Sequence, residues 1–186
     1  MASSITLRPI VPEDEPFLRA VYDSTRQAEL ARVPWTDEEK ASFLAMQFAA
    51  QSRFYFQQYA AADFQLILRG GAPIGRLYVD RQPNELRIID IALVDAARDQ
   101  GIGTGLLGTI IEEADQATLP ITIHVERFNP ALRLYSRLGF QAIADQGVYL
   151  LLRRLPRTSL GPSTSAAPSS ASTLPVAQSL LAGDPQ

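Results

Sequence analysis

Residues 98 to 105 read RDQGIGTG and lie between the apolar stretch ELRIIDIALV and the helix-patterned LLGTIIEEAD. Glycines at 101, 103 and 105 let successive backbone N–H groups face one concavity, and the start of a helix adds the positive end of its dipole. The chemistry of such a turn is anion binding, and a pyrophosphate is its obvious guest. Arg98, Gln100, Gly101, Ile102, Gly103 and Thr104 are the candidate cradle residues. The plain alternative is a glycine-rich turn that only opens a helix, but glycines at three alternate positions exceed what a simple helix start needs.

Proton-handling residues are few. The chain has no cysteine, which removes thiolate nucleophiles, CxxC redox motifs and cysteine-ligated metals together. His124 is the single histidine, and its unperturbed pKa near 6.5 suits a base. Glu126 shares its side of the strand-like ITIHVER by period-two alternation. Asp90 interrupts the apolar IIDIAL, so it either faces a polar cleft or bonds a partner such as an arginine or His124.

Gly103, Gly105 and Gly108 also spell GxGxxG, and Glu126 follows about where a ribose-binding acid stands in a dinucleotide fold. That reading makes the chain a nicotinamide-dinucleotide oxidoreductase. Against it, the residues from Asp95 to Ile102 separate the strand from Gly103, whereas the fingerprint needs a tight turn directly off the strand. Too little patterned chain follows Glu126 for the further parallel strands of a doubly wound sheet.

The elements around these residues follow from pattern. SITLRPI reads as a strand, and Pro12 to about Leu30 as a helix with Phe17, Leu18, Val21 and Tyr22 at helical spacing. Thr36 and Glu39 have capping-box spacing and open a second helix through Ala60. FQLILRGG, PIGRLYVD and ELRIIDIALV read as strands, and Gly101 to about Ala117 as a helix. After the strand ITIHVER, Asn129 stands as an N-cap with Pro130 behind it, and Gly139 as the C-terminal cap. FQAIAD and GVYLLLRRL close as a hairpin around Gln146-Gly147. The order β-α-α-β-β-β-α-β-α-β-β predicts an α/β fold with a mixed sheet.

Composition narrows the class. The 186 residues are 46% hydrophobic and 20% charged, the balance of one ordinary globular domain. The net charge of −3 and the scattered basic residues argue against a nucleic-acid partner, which would want a basic stripe. No run approaches the roughly 18 apolar residues of a membrane helix, and no basic, apolar leader opens the sequence, so a cytoplasmic protein is expected. Residues 1–155 read as the domain, and 156–186, rich in Pro, Ser and Ala, as a disordered tail.

RDQGIGTG resembles the Arg/Gln-x-x-Gly-x-Gly/Ala acetyl-coenzyme A signature of the GNAT acetyltransferase superfamily, with Arg98, Gly101 and Gly103 in the matching places. NPALRLYSRLGF, residues 129 to 140, resembles that family's second signature. The resemblance covers about residues 5 to 155 and implies a mostly antiparallel central sheet flanked by helices. It also implies acetyl-CoA as co-substrate, no metal, and acetyl transfer to a primary amine of a small molecule or protein. A homodimer is compatible with it.

Residue by residue, the resemblance assigns backbone N–H groups at a bulged strand end, here Ala92, Leu93 and Val94, to the pantetheine arm and the thioester carbonyl. Tyr135 matches the tyrosine that hydrogen-bonds or protonates the departing thiolate, and Asn129 is assigned to the cofactor, although it precedes Tyr135 by one residue fewer than is common. Asp90, His124, Glu126 or a water is then the general base. The helices before residue 60, with Glu29, Trp35 and Asp37, are implied as one wall of the acceptor cleft. Retention of Tyr135 favours an enzyme over the alternative of a catalytically weak acyl-CoA-binding module.

Overall fold

The computed structural model describes residues 4–157, and the tail from 158 onward lies outside the described residues. Along the chain run β1 (Ile5–Pro9), α1 (Glu15–Leu30), α2 (Asp37–Gln58), β2 (Asp63–Arg69), β3 (Ala72–Arg81) and β4 (Leu86–Leu93), then α3 (Ile102–Ala117), β5 (Ile121–Glu126), α4 (Leu132–Arg137), β6 (Gln141–Gln146) and β7 (Tyr149–Arg154). This is the expected order. Boundaries differ at two helix starts. Pro12–Asp14 forms a 3-10 turn ahead of α1, and α4 begins at Leu132 rather than Pro130.

These residues fall in two compact units, residues 4–25 with 61–157, and residues 26–60. The first holds a seven-stranded sheet in the order β1-β2-β3-β4-β5-β7-β6. Every neighbouring pair is antiparallel except β4–β5. A single parallel pair inside an antiparallel sheet is not a doubly wound arrangement. β7 lies between β5 and β6, so the closing hairpin folds back to pair its second strand with β5.

One face of this sheet builds the main core. Ile67, Leu77, Val79, Leu86, Ile88, Ile121 and Ile123 meet Leu107, Ile110 and Ala114 of α3, whose spacing puts them on one helical stripe. Burying each large aliphatic side chain contributes about 2 kcal/mol. Tyr135 of α4 joins the same cluster and meets Phe140 edge-on at 5.5 Å. Arg154 ties these layers at their base. Its guanidinium lies 2.7 Å from Asp115 near the end of α3, and it donates to the Leu138 carbonyl that ends α4. The pair holds the Asp115 carboxyl below its ordinary range.

The other face carries Leu66, Arg76 and Tyr78, all buried and none part of that cluster. Asp14, at the entry to α1, belongs to this side. It accepts from Arg8 at 2.7 Å and from Val11 N–H at 2.8 Å, and its charge reaches the Tyr78 hydroxyl.

In the second unit the Thr36–Glu39 capping box forms as its spacing predicts, with the Glu39 N–H donating to Thr36 Oγ1 and the Thr36 N–H to Glu39 Oε2. Asp37, Glu38 and Glu39 complement the dipole of α2 in its first turn. Trp35 meets Phe43 edge-on at 5.2 Å, and Glu29 lies 3.5 Å from Arg26. Among the described residues no helix is long and apolar enough to cross a membrane.

Candidate active site

The site begins where β4 and β5 part. They pair over only Leu86–Ile121, Arg87–Thr122 and Ile88–Ile123, yet β4 continues to Leu93 and β5 to Glu126. Both strands stay paired on their far sides, β4 to β3 and β5 to β7. The facing edges beyond Ile88 and Ile123 therefore hold backbone groups that make no ladder with each other, which is where a ligand with amide groups can add hydrogen bonds.

Which groups face this split follows from antiparallel alternation. Val94 N–H donates to the Ile74 carbonyl at 2.9 Å, so the residues that exchange bonds with β3 are 94 and, two back, 92. Leu93 and Ile91 turn their N–H groups the other way, into the split. Val94 also accepts from Ala97 N–H, so both of its backbone groups are engaged within the chain. Of the three strand-end residues assigned to the acyl arm, Leu93 offers a donor, whereas Val94 and, by the same alternation, Ala92 turn their N–H groups to β3. The strand irregularity is also displaced from the strand end. Tyr78 pairs Asp90 while Val79 pairs Ile88, which leaves Ile89 as the extra residue of a β-bulge.

Gly75 lets the end of β4 lie close. A Cβ there would stand 2.3 Å from the Ala92 carbonyl oxygen and 2.8 Å from Leu93 Cδ2, so only glycine permits this approach.

From Leu93 the chain enters a 3-10 turn, Asp95–Ala97, then the cradle. Asp99 and Gly101 both adopt left-handed backbone, φ 57° and 77°. The first helical bond of α3 runs from Gly105 N–H to the Gly101 carbonyl, so Ile102, Gly103 and Thr104 present N–H groups with no intrahelical acceptor. A Cβ on Gly103 or Gly105 would meet nothing within 4 Å. No internal contact requires glycine there, and the open space fits a phosphate pressed against the backbone.

Arg98 and Gln100 brace this loop. Arg98 Nε donates to the Leu93 carbonyl at 3.0 Å and its guanidinium lies 2.8 Å from Asp95. Gln100 Nε2 donates to the Ala96 carbonyl at 2.6 Å, and its Oε1 accepts from Arg69. Arg69, at the end of β2, was not evident in the sequence, since its 31-residue separation from Gln100 leaves no local signal.

Asn129 closes the first turn toward α4, its Oδ1 accepting from Ala131 N–H at 2.9 Å. The sequence predicts Asn129 as the cap of the helix, but the N-cap position is Ala131, so the Asn129 side chain closes the turn ahead of α4 instead. Tyr135 is buried, and its hydroxyl is held protonated well above the ordinary phenol range, first by burial and then by the charge of Asp90.

Asp90 faces away from the α3 core, on the side of its pair partner Tyr78, and bonds Arg76 at 2.6 Å. The arginine partner expected of the partly buried carboxylate is therefore Arg76, which sequence reasoning did not single out. Its signal was a basic residue inside PIGRLYVD, one strand before the acid inside IIDIAL.

His124 and Glu126 lie on the same side, since Ile123 and Val125 between them face the α3 core. His124 is one residue past the last β4–β5 pair. Its ring hydrogen-bonds Gln146, and its Nε2 is buried with no partner among the described residues. Burial, and then the nearby Arg87, lower its pKa, against the raising effects of Gln146 and Glu85. The split thus has Tyr135 on one side and Asp90, His124 and Glu126 on the other. No group of three or more His, Cys, Asp or Glu side chains able to hold a metal occurs among the described residues.

A parted parallel strand pair leading into a helix start with open N–H groups can take up an amide-bearing arm that ends in an anionic group. The sequence pattern of the Acetyltransferase (GNAT) family matches residues 18–140, and the chain belongs to that family. It is an acetyl-CoA-dependent acetyltransferase. No curated protein matches the chain.

Solved structures share the fold. PaiA N-acetyltransferase from Thermoplasma acidophilum, determined with coenzyme A, aligns with a TM-score of 0.63 at 17% identity, over 82% of this chain and 99% of that one. An acetyltransferase from Thermus thermophilus aligns with a TM-score of 0.60 at 18% identity, over 83% and 99%. A histone acetyltransferase HPA2-related protein from Corynebacterium glutamicum aligns with a TM-score of 0.57 at 21% identity, over 85% and 98%.

Proposed function

We propose that the chain transfers the acetyl group of acetyl-CoA to a primary amine, of a small molecule or of a protein, at the split between β4 and β5. The observation that carries this reading is a histidine whose Nε2 has no partner among the described residues and a protonated phenol, on opposite sides of one parted strand pair. The N–H groups of Ile102, Gly103 and Thr104 hold the pyrophosphate, and those of Ile91 and Leu93 bond the pantetheine arm and the thioester oxygen. One such preorganised donor contributes about 3 kcal/mol to stabilising the tetrahedral intermediate.

His124 accepts the proton that the acceptor ammonium must lose, directly or through one water. The free amine attacks the thioester carbonyl carbon, a C–N bond forms, and the C–S bond breaks. The sulfur takes the proton of Tyr135, and the nitrogen, cationic after attack, gives up its second proton through solvent, which restores the phenol. Among structural relatives, one is named an N-acetyltransferase and one a histone acetyltransferase, which supports an amine acceptor without choosing between a small molecule and a protein.

The pH dependence tests the base. A histidine that accepts a proton must be neutral, and both burial and Arg87 favour the neutral form. Turnover kcat/KM therefore falls on the acid side, with the midpoint of that limb below 6.5, the ordinary histidine value. His124→Asn is expected to lower the rate and to remove this limb. A limb unchanged in the variant assigns the proton acceptor elsewhere.

A further inference from the structure

We propose that Arg76 is a positioning residue of the transfer step: from inside β3 it fixes the Asp90 carboxylate at the mouth of the β4–β5 split, opposite the reacting amine. The inference rests on the functional reading above and adds to it a residue that touches neither co-substrate.

Arg76 is 4% exposed, and a guanidinium so buried needs an anionic partner and further hydrogen bonds to be held there. It has both. One terminal nitrogen lies 2.6 Å from Asp90 Oδ2, the guanidinium hydrogen-bonds the Tyr78 hydroxyl, and its carbon lies 5.6 Å from the centre of the Tyr78 ring. Tyr78 is the direct strand partner of Asp90, and Arg76 is the partner of Ala92. The three side chains thus share one sheet face as a fixed triad.

The β4 bulge makes this possible. Leu86 and Ile88 point into the α3 core, and uninterrupted alternation would send residue 90 there as well. The extra residue Ile89 reverses the alternation, so Asp90 emerges on the Arg76 face while Ile91 returns to the core side. A bulge that turns one carboxylate from an apolar core onto a buried arginine, at the point where two strands part, re-aims a side chain at a site.

Asp90 lies two residues past the last β4–β5 pair, and its charge reaches the Tyr135 hydroxyl across the split. Fixed there, the carboxylate stabilises the positive charge that grows on the amine nitrogen during attack. It also keeps the proton on Tyr135 until the sulfur departs. Arg76 provides the fixed position, and its effect on the reaction passes through Asp90.

A double-mutant cycle on the full chain tests this, with kcat, KM for acetyl-CoA and the acetyl-CoA melting shift as readouts. Arg76→Met and Asp90→Asn are each expected to lower kcat on the order of tenfold, and the double variant to fall no further than Asp90→Asn alone. KM and the melting shift should hold within about twofold of the unaltered chain, and Arg76→Lys should recover part of the rate. Effects on kcat that multiply overturn the proposal, as does a loss confined to KM. If Arg76→Met yields too little folded protein, Arg76→Lys is compared with and without Asp90→Asn: a lowered kcat that Asp90→Asn makes indistinguishable supports the proposal, and an unchanged kcat overturns it. Absence of amine-dependent turnover in the unaltered chain overturns the transfer reading along with it, whereas turnover with multiplying effects overturns this inference alone.

Discussion

Replacing Gly103 with tryptophan is expected to abolish the stabilisation that acetyl-CoA gives the protein while leaving the ligand-free melting temperature within about 2 °C of its original value. The two parts have separate causes. Beyond its chain neighbours and its own helix, a Cβ at this position meets nothing within 4 Å, so a larger side chain can leave the backbone outward. The same space is where a pyrophosphate must lie to reach the N–H groups of Ile102, Gly103 and Thr104, and an indole fills it. At a hundredfold excess over its dissociation constant, a ligand adds about 2.7 kcal/mol of stability. For a domain of this size that is a shift on the order of 5–10 °C. Differential scanning fluorimetry with acetyl-CoA reads it directly. Nicotinamide dinucleotides should give no shift in either chain. A shift retained in Gly103→Trp would place the pyrophosphate somewhere other than the start of α3.

Tyr135→Phe is expected to lower kcat by about two orders of magnitude, the usual contribution of a positioned acid, with KM for acetyl-CoA changed less than about twofold. Phenylalanine keeps the ring in its edge-on contact with Phe140 and its place in the core, so the change isolates the hydroxyl. Burial and the Asp90 charge both hold that hydroxyl protonated, as a donor to a leaving thiolate must be. Thiol release measured over time with saturating amine checks the prediction. An unchanged rate would remove Tyr135 from the chemistry and leave it as a core residue.

Local features were the most legible in the sequence. The Thr36–Glu39 box, the glycine opening of α3 and the left-handed Gly139 each depend on residues a few positions apart, and all appear where the pattern puts them. Features that depend on how one strand lies against another were not legible. Nothing in IIDIALV marks Ile89 as the bulge, because a bulge is a mismatch with β3 and exists only in the pair. Which N–H groups face the split likewise depends on register, and so Val94, adjacent to Leu93 in sequence, has its N–H committed to Ile74. The closing hairpin was readable, but its placement with β7 against β5 was not, since chain order does not set spatial order. Asp90 announced its need for a partner through its apolar surroundings. That the partner is Arg76 required the sheet.

The accidental GxGxxG illustrates the same limit. Read alone, Gly103, Gly105 and Gly108 point to a dinucleotide, and only the length of chain back to Leu93 and the antiparallel closing strands separate that site from this one. A helix start with open N–H groups suits phosphate in either case. What supports the proposed acyl transfer at this site is the parted β4–β5 pair, with Tyr135 on one side and His124 and Asp90 on the other.

The most direct measurement is free-thiol release from acetyl-CoA across a panel of small-molecule amines and amine-bearing peptides, with mass spectrometry of the amine product. The account predicts release that depends on the amine, with a product heavier by one acetyl group for each thiol freed. Binding of acetyl-CoA without amine-dependent release anywhere in the panel would contradict it and leave the split as a site that holds the thioester without turning it over.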